Sequence, residues 1–124
     1  MAKVLIVDDS PTEAHVLEKM LKIDGHEAIK ASNGEEGIAM AIEEMPNLIV
    51  MDVVMPGMNG FKATRKIHRN ESTRDIPIMI VNTKNQDTDI EWGLSQGASD
   101  YMAKPVDVDL FREKVQNLLR SVAS

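Results

Sequence analysis

The chain has 124 residues, 43% hydrophobic and 27% charged, with a formal net charge of −6 and no cysteine. That length allows one domain with its own core, and the absence of cysteine excludes disulfides, thiolate metal sites and a cysteine nucleophile. The acidic balance argues against nucleic acid as a partner, and no apolar run approaches the roughly 20 residues of a membrane span or looks like a secretory signal, so a cytoplasmic protein is expected.

Short apolar runs alternate with longer periodic segments along the chain. Val4 to Val7 is an uninterrupted apolar run, the pattern of a strand buried on both faces. Ser10-Pro11-Thr12-Glu13 follows as a helix start: Ser10 as cap, Pro11 at the first position, Glu13 closing a capping box. Ala14, Leu17, Met20 and Leu21 then recur at helical spacing. Glu27 to Ala31 is a weaker strand, and Asn33-Gly34-Glu35-Glu36 opens a second helix whose stripe is Ile38, Ala41, Ile42 and Met45, stopped by Pro46.

Leu48 to Met51 is the third strand, and it runs into an acid, Asp52. Asn59 to about Asn70 is a third helix with Phe61 and Ile67 inward. Ile76 to Val81 is a fourth strand, with Pro77 tolerated near its start. Asp87 to Gln96 is a short helix with Ile90, Gly93 and Leu94 inward. Ser99 to Ala103 is a fifth strand, and Asp107 to Val122 is the last helix, striped by Phe111, Val115, Leu118, Leu119 and Val122.

Five βα units over residues 1–124 predict a single α/β domain: a doubly wound, five-stranded parallel sheet, (βα)5, in flavodoxin-like order 2-1-3-4-5. Ligands of such sheets bind beyond the carboxyl ends of the strands. Those ends carry Asp8-Asp9, Asp52, Asn82-Thr83 and Lys104-Pro105. Order 2-1-3-4-5 brings Asp8, Asp9 and Asp52 together, and three carboxylates side by side need a counter-charge that Lys104 supplies only in part. An all-oxygen ligand set points to Mg²⁺, with Mn²⁺ as a substitute. Metal, carboxylate and lysine together suit phosphoryl transfer to a carboxylate.

These motifs resemble the bacterial response-regulator receiver family, the chemotaxis (CheY-like) phosphoacceptor domains. VLIVDDS at the first strand, DVVMPGMNG from Asp52 and GASDYMAKP at the fifth strand carry the resemblance, in order and over essentially the whole chain. FKATR, TKNQDTD and WGLSQGASDYMAKPVD look closest to single-domain regulators of the chemotaxis-like system that controls type IV pili and twitching motility.

The resemblance implies that Asp52 accepts a phosphoryl group from a chemotaxis-type histidine kinase. It implies Mg²⁺ held by Asp8, Asp9, Asp52 and the backbone carbonyl of Val54. It gives Lys104 the phosphoryl oxygens and a cis peptide to Pro105, and makes Tyr101 an aromatic that changes rotamer. Output is expected through an unidentified downstream protein, or by service as a phosphate sink, from a monomer with no output domain. Such a chain catalyses only its own phosphorylation and dephosphorylation.

Asn82 departs from the family, which has Thr or Ser there to bind the phosphoryl group and shift toward it; Thr83 follows it in a slot usually kept small. Asn82 and Thr83 are the expected phosphate-binding pair, with coupling from Asp52 to Tyr101 in question. The alternative is therefore a receiver-like binding module that phosphorylation switches weakly or not at all. Trp92 falls off its helix stripe and is expected outward, as a partner contact beside Tyr101. His15, His26 and His68 share no metal spacing, and no G-x-x-x-x-G-K loop exists to bind ATP. A phosphohydrolase is disfavoured because its usual Asp-x-Asp after the first strand is here Asp8-Asp9, with no room for a cap domain.

Overall fold

The computed structural model describes residues 1–123, with the backbone alone for 122 and 123, so the inward placement expected of Val122 lies outside the described residues. The elements alternate: β1 (Lys3–Val7), α1 (Pro11–Ile23), β2 (Glu27–Ala31), α2 (Gly34–Glu44), β3 (Leu48–Asp52), α3 (Gly60–Arg69), β4 (Ile78–Asn82), α4 (Asp87–Ser95), β5 (Asp100–Ala103) and α5 (Val108–Ala123). All strand pairs are parallel, in the order β2-β1-β3-β4-β5. The doubly wound expectation is met.

Successive residues of a strand face opposite sides of the sheet, and here both sides are packed. Leu5, Val7, Ile49, Met51, Ile78 and Ile80 join Ala41, Ala63 and Ile67 in one core layer. Val4, Ile6, Leu48, Val50, Met79 and Val81 join Leu17, Leu21, Phe111 and Val115 in the other. This is why β1, β3 and β4 read as unbroken apolar runs. Phe111 is fully buried, and such a side chain contributes roughly 1.5–3 kcal/mol relative to exposure.

Three helical stripes are narrower than their sequence pattern. Ile42, Met45 and Leu94, expected inward, are exposed. α2 packs through Gly34, Gly37 and Ala41, and an added Cβ on Gly37 would lie 2.9 Å from Val7, so the helix sits too close to the sheet for a wide stripe. Met45 is the left-handed C-cap at φ 45°, which turns it out of the helix. In α4 the buried residue is Gly93, seated on Ile80 and Tyr101. Leu118 and Leu119 are only partly buried against the second layer. Several element boundaries also shift by one or two residues; β4 starts after Pro77, whose carbonyl accepts from Ile49 N at 3.0 Å, and β3 extends to include Asp52.

Candidate functional site

The sheet register steps the polar residues across one edge of the molecule. Val7 pairs with Met51, which puts Asp8 beside Asp52. Asp52 pairs with Val81, and Asn82 with Ala103, so Lys104 lies one residue beyond that last pair. The Lys104–Pro105 peptide is cis.

Asp8, Asp9 and Asp52 each offer a carboxylate oxygen, and these oxygens lie within 4.8 Å of one another. Asp8 and Asp52 are buried, while Asp9 is exposed. Lys104 Nζ donates to Asp52 Oδ1 at 3.0 Å and to Glu13 Oε1 at 3.1 Å, and stands 3.6 Å from Asp8 Oδ2. Asp8, Glu13 and Lys104, with Thr12, form the polar end of a groove of about 240 Å³ that continues along Val16, Leu17, Met20, Pro105 and Val106.

One ammonium does not neutralise this group. Burial pushes Asp8 up from its ordinary 3.8 to about 6; the Ser10 backbone N–H opposes that rise, and the neighbouring Asp52 charge adds to it. Burial also raises Asp52, against the hydrogen bond and charge of Lys104. Burial alone would lower Lys104, but the hydrogen bonds to Asp52 and Glu13 outweigh it and hold the ammonium above the usual lysine range. Asp8 Oδ2 is buried with no hydrogen-bond partner among the described residues. A buried acceptor without a donor is costly, and a cation among the three carboxylates would satisfy it. The donor set therefore fits a hard divalent ion.

The loop after β3 is fixed by backbone contacts. Gly60 N donates to Val53 O at 2.9 Å, and an added Cβ on Gly60 would fall 1.9 Å from the Asp52 carbonyl oxygen. Asn59 caps α3 by accepting from Lys62 N at 3.0 Å. Val54 is exposed on this loop.

Asn82 and Tyr101 form a second, adjoining unit. Asn82 is buried; its Nδ2 donates to the Tyr101 hydroxyl at 3.0 Å, and its Oδ1 accepts from Thr83 N at 2.9 Å. The Tyr101 hydroxyl in turn donates to the Lys84 carbonyl. Tyr101 is 7% exposed, so its ring is packed inward. Thr83 is exposed and lines a separate concavity with Lys84, Asn85, Gln86 and Asp89. Trp92 faces outward, 55% exposed, as its place off the helical stripe predicts.

Glu13, a cap residue by its Ser-x-x-Glu spacing, also contacts Lys104 at the site. The expected capping box forms by half: Ser10 Oγ accepts from Glu13 N at 3.3 Å, but Ser10 N donates to Asp8 Oδ1 at 2.8 Å instead of to Glu13. The Glu13 carboxylate is thereby free to reach Lys104. The Ser-x-x-Glu spacing has a sufficient local explanation, which hid the long-range contact.

Comparison with known proteins adds to this geometry. The sequence model described as the response regulator receiver domain matches residues 4–116. The chain is 50% identical over 119 residues to protein PilH of Pseudomonas aeruginosa, covering 96% of this chain and 98% of that one. Among solved structures it resembles the Vibrio cholerae chemotaxis protein CheY4, with a TM-score of 0.89, 29% identity and 95% and 98% of the two chains covered. A CheY-like receiver domain protein of Methanospirillum hungatei matches at a TM-score of 0.91 and 26% identity, over 99% and 97% of the chains.

Proposed function

The chain belongs to the response regulator receiver domain family, and from that premise we propose that it is a single-domain regulator that accepts a phosphoryl group on Asp52. The observation that carries this reading is the grouping of Asp8, Asp9 and Asp52 within 4.8 Å, with Lys104 3.0 Å from Asp52. The donor is a phosphohistidine of a chemotaxis-type kinase. An Asp52 carboxylate oxygen forms the new bond to phosphorus, the nitrogen–phosphorus bond breaks, and the histidine ring nitrogen keeps the electron pair. Asp8, Asp9 and Asp52, with the Val54 carbonyl, would hold Mg²⁺ or Mn²⁺. Such an ion, when bound, neutralises charge on the phosphoryl oxygens. Lys104 adds a second positive group beside Asp52 and orients the acceptor oxygen.

The half-identity to PilH supports a place in chemotaxis-like control of type IV pili, in the cytoplasm. Among the described residues no helix is long and apolar enough to cross a membrane. Output passes to a protein partner, with Trp92 on the contact face, or the chain drains phosphate from its kinase. It catalyses only its own phosphorylation and dephosphorylation. Transfer of label from a phosphorylated histidine domain to this chain tests the reading. One phosphate per chain, lost on Asp52→Ala, is the expected result; transfer that survives the substitution contradicts it.

A second reading is favoured by one observation. The Asn82 amide is engaged with a Tyr101 that is already buried. In this reading Asp52 is phosphorylated, but Tyr101 keeps its position, and the partner surface changes little.

A further inference from the structure

Glu13 binds the same ammonium that Asp52 binds. Lys104 Nζ lies 3.0 Å from Asp52 Oδ1 and 3.1 Å from Glu13 Oε1, so the two carboxylates share it almost equally. They differ in setting: the Asp52 side chain is 7% exposed and that of Glu13 50%. Glu13 therefore tethers Lys104 from the solvent side, while Asp52 holds it from inside. Its carboxylate is available because Asp8 Oδ1 takes the Ser10 N–H that a capping box would give to Glu13.

We propose that Glu13 is a positioning residue that acts through Lys104, holding the ammonium when a divalent cation displaces it from Asp52. The inference rests on the reading of Asp8, Asp9 and Asp52 as a cation site. A cation among those carboxylates repels Lys104 from Asp52 Oδ1. With Glu13 present, the displaced ammonium keeps a carboxylate partner. Without it, the carboxylate left to Lys104 on leaving Asp52 is Asp8, 3.6 Å away and itself among the three groups that would hold the cation, so Lys104 resists the cation more strongly. Glu13 thus favours cation entry without touching the cation.

The alternative is that Glu13 acts only as one more negative charge near the site. The two differ in their dependence on reach and on Lys104. Glu13→Gln removes the charge. Glu13→Asp keeps it at the same helix position but is one methylene too short to hold Lys104. The experiment is calorimetric titration of the phosphate-free protein with Mg²⁺, for the native chain and both variants, each repeated with Lys104→Ala, with thermal melts as the folding control.

The expected result is that Glu13→Gln and Glu13→Asp both weaken Mg²⁺ binding by about threefold to fivefold, the scale of an ion pair with one exposed partner. Both effects vanish in the Lys104→Ala background. Native affinity in Glu13→Gln overturns the inference, as does native affinity in Glu13→Asp alone. Persistence of the same factor without Lys104 also overturns it. A native chain that binds no Mg²⁺ overturns the cation site itself, whereas native binding with a flat Glu13 series overturns the positioning role alone.

Discussion

The side-chain amide of Asn82 donates to the Tyr101 hydroxyl at 3.0 Å, joining the last residue of β4 to the middle of β5. The same hydroxyl donates to the Lys84 carbonyl, so one tyrosine ties both strands to the loop that leads into α4. Asn82→Ala leaves the Tyr101 hydroxyl without its donor and Thr83 N without its acceptor. The cost is expected at about 1–3 kcal/mol. Tyr101→Phe is expected to cost less, and the double variant less than the sum. Urea unfolding of the four proteins checks this, and strict additivity would rule out an energetic link between the two residues.

The same pair bears on switching. Moving the Tyr101 ring out requires breaking two hydrogen bonds and opening a void beside Gly93, whose added Cβ would meet Tyr101 at 3.1 Å. Adding Mg²⁺ and beryllofluoride, a phosphoryl mimic, is expected to leave the Tyr101 ring resonances of the native chain in place. Asn82→Thr has no amide to reach the hydroxyl, and its Tyr101 signals are expected to shift on the same addition. Large shifts in the native chain would remove the case for weak switching.

Gly60 sets the position of Asp52 through the backbone. A Cβ there would fall 1.9 Å from the Asp52 carbonyl oxygen and 2.8 Å from Val53 Cα, and backbone atoms cannot rotate away. Gly60→Ala is expected to destabilise the fold by about 3 kcal/mol, at the upper end of overpacking costs. It should also slow phosphorylation of Asp52 in the fraction that remains folded. A variant with native stability and native phosphorylation would show that the β3–α3 loop adapts at no cost.

The raised pKa of Asp8 fixes the sign of a pH effect. Its carboxyl titrates near 6 in the folded protein against an ordinary 3.8. The folded state therefore binds this proton more tightly, and stability from this group falls as pH rises from about 4 to about 6. The linkage amounts to about 3 kcal/mol at full effect. Asp8→Asn removes it: the metal-free variant is expected to gain on the native chain as pH rises through that window, and to match it near pH 4. For Mg²⁺ the direction reverses, since the ligand must be ionised; native affinity is expected to fall as pH drops through about 6. A difference between native and variant stability that does not change with pH would contradict the assignment.

The sheet was legible because its strands are buried on both faces. Val4–Val7 and Leu48–Met51 are short unbroken apolar runs that fit strands buried on both faces, and once the strand order is set, the register brings Asp8, Asp52 and Lys104 together. What escaped the sequence depends on distances between elements. Ile42 fits the apolar stripe of α2, but the close approach of Gly37 to Val7 narrows what that helix can bury. Glu13 looked like a cap residue, and only the diversion of Ser10 N to Asp8 releases it. The partner of Asn82 lies 19 positions away on another strand, and no local pattern encodes it.

The central claim is that Asp52 is the phosphoacceptor of a Mg²⁺-dependent site. Its most direct test is intact mass after mixing the chain with acetyl phosphate and Mg²⁺, beside the Asp52→Ala variant and a sample with the metal chelated. The account predicts one added phosphate in the native chain, and none in either control. A phosphate gained by the Asp52→Ala variant, or gained equally without the metal, would contradict it.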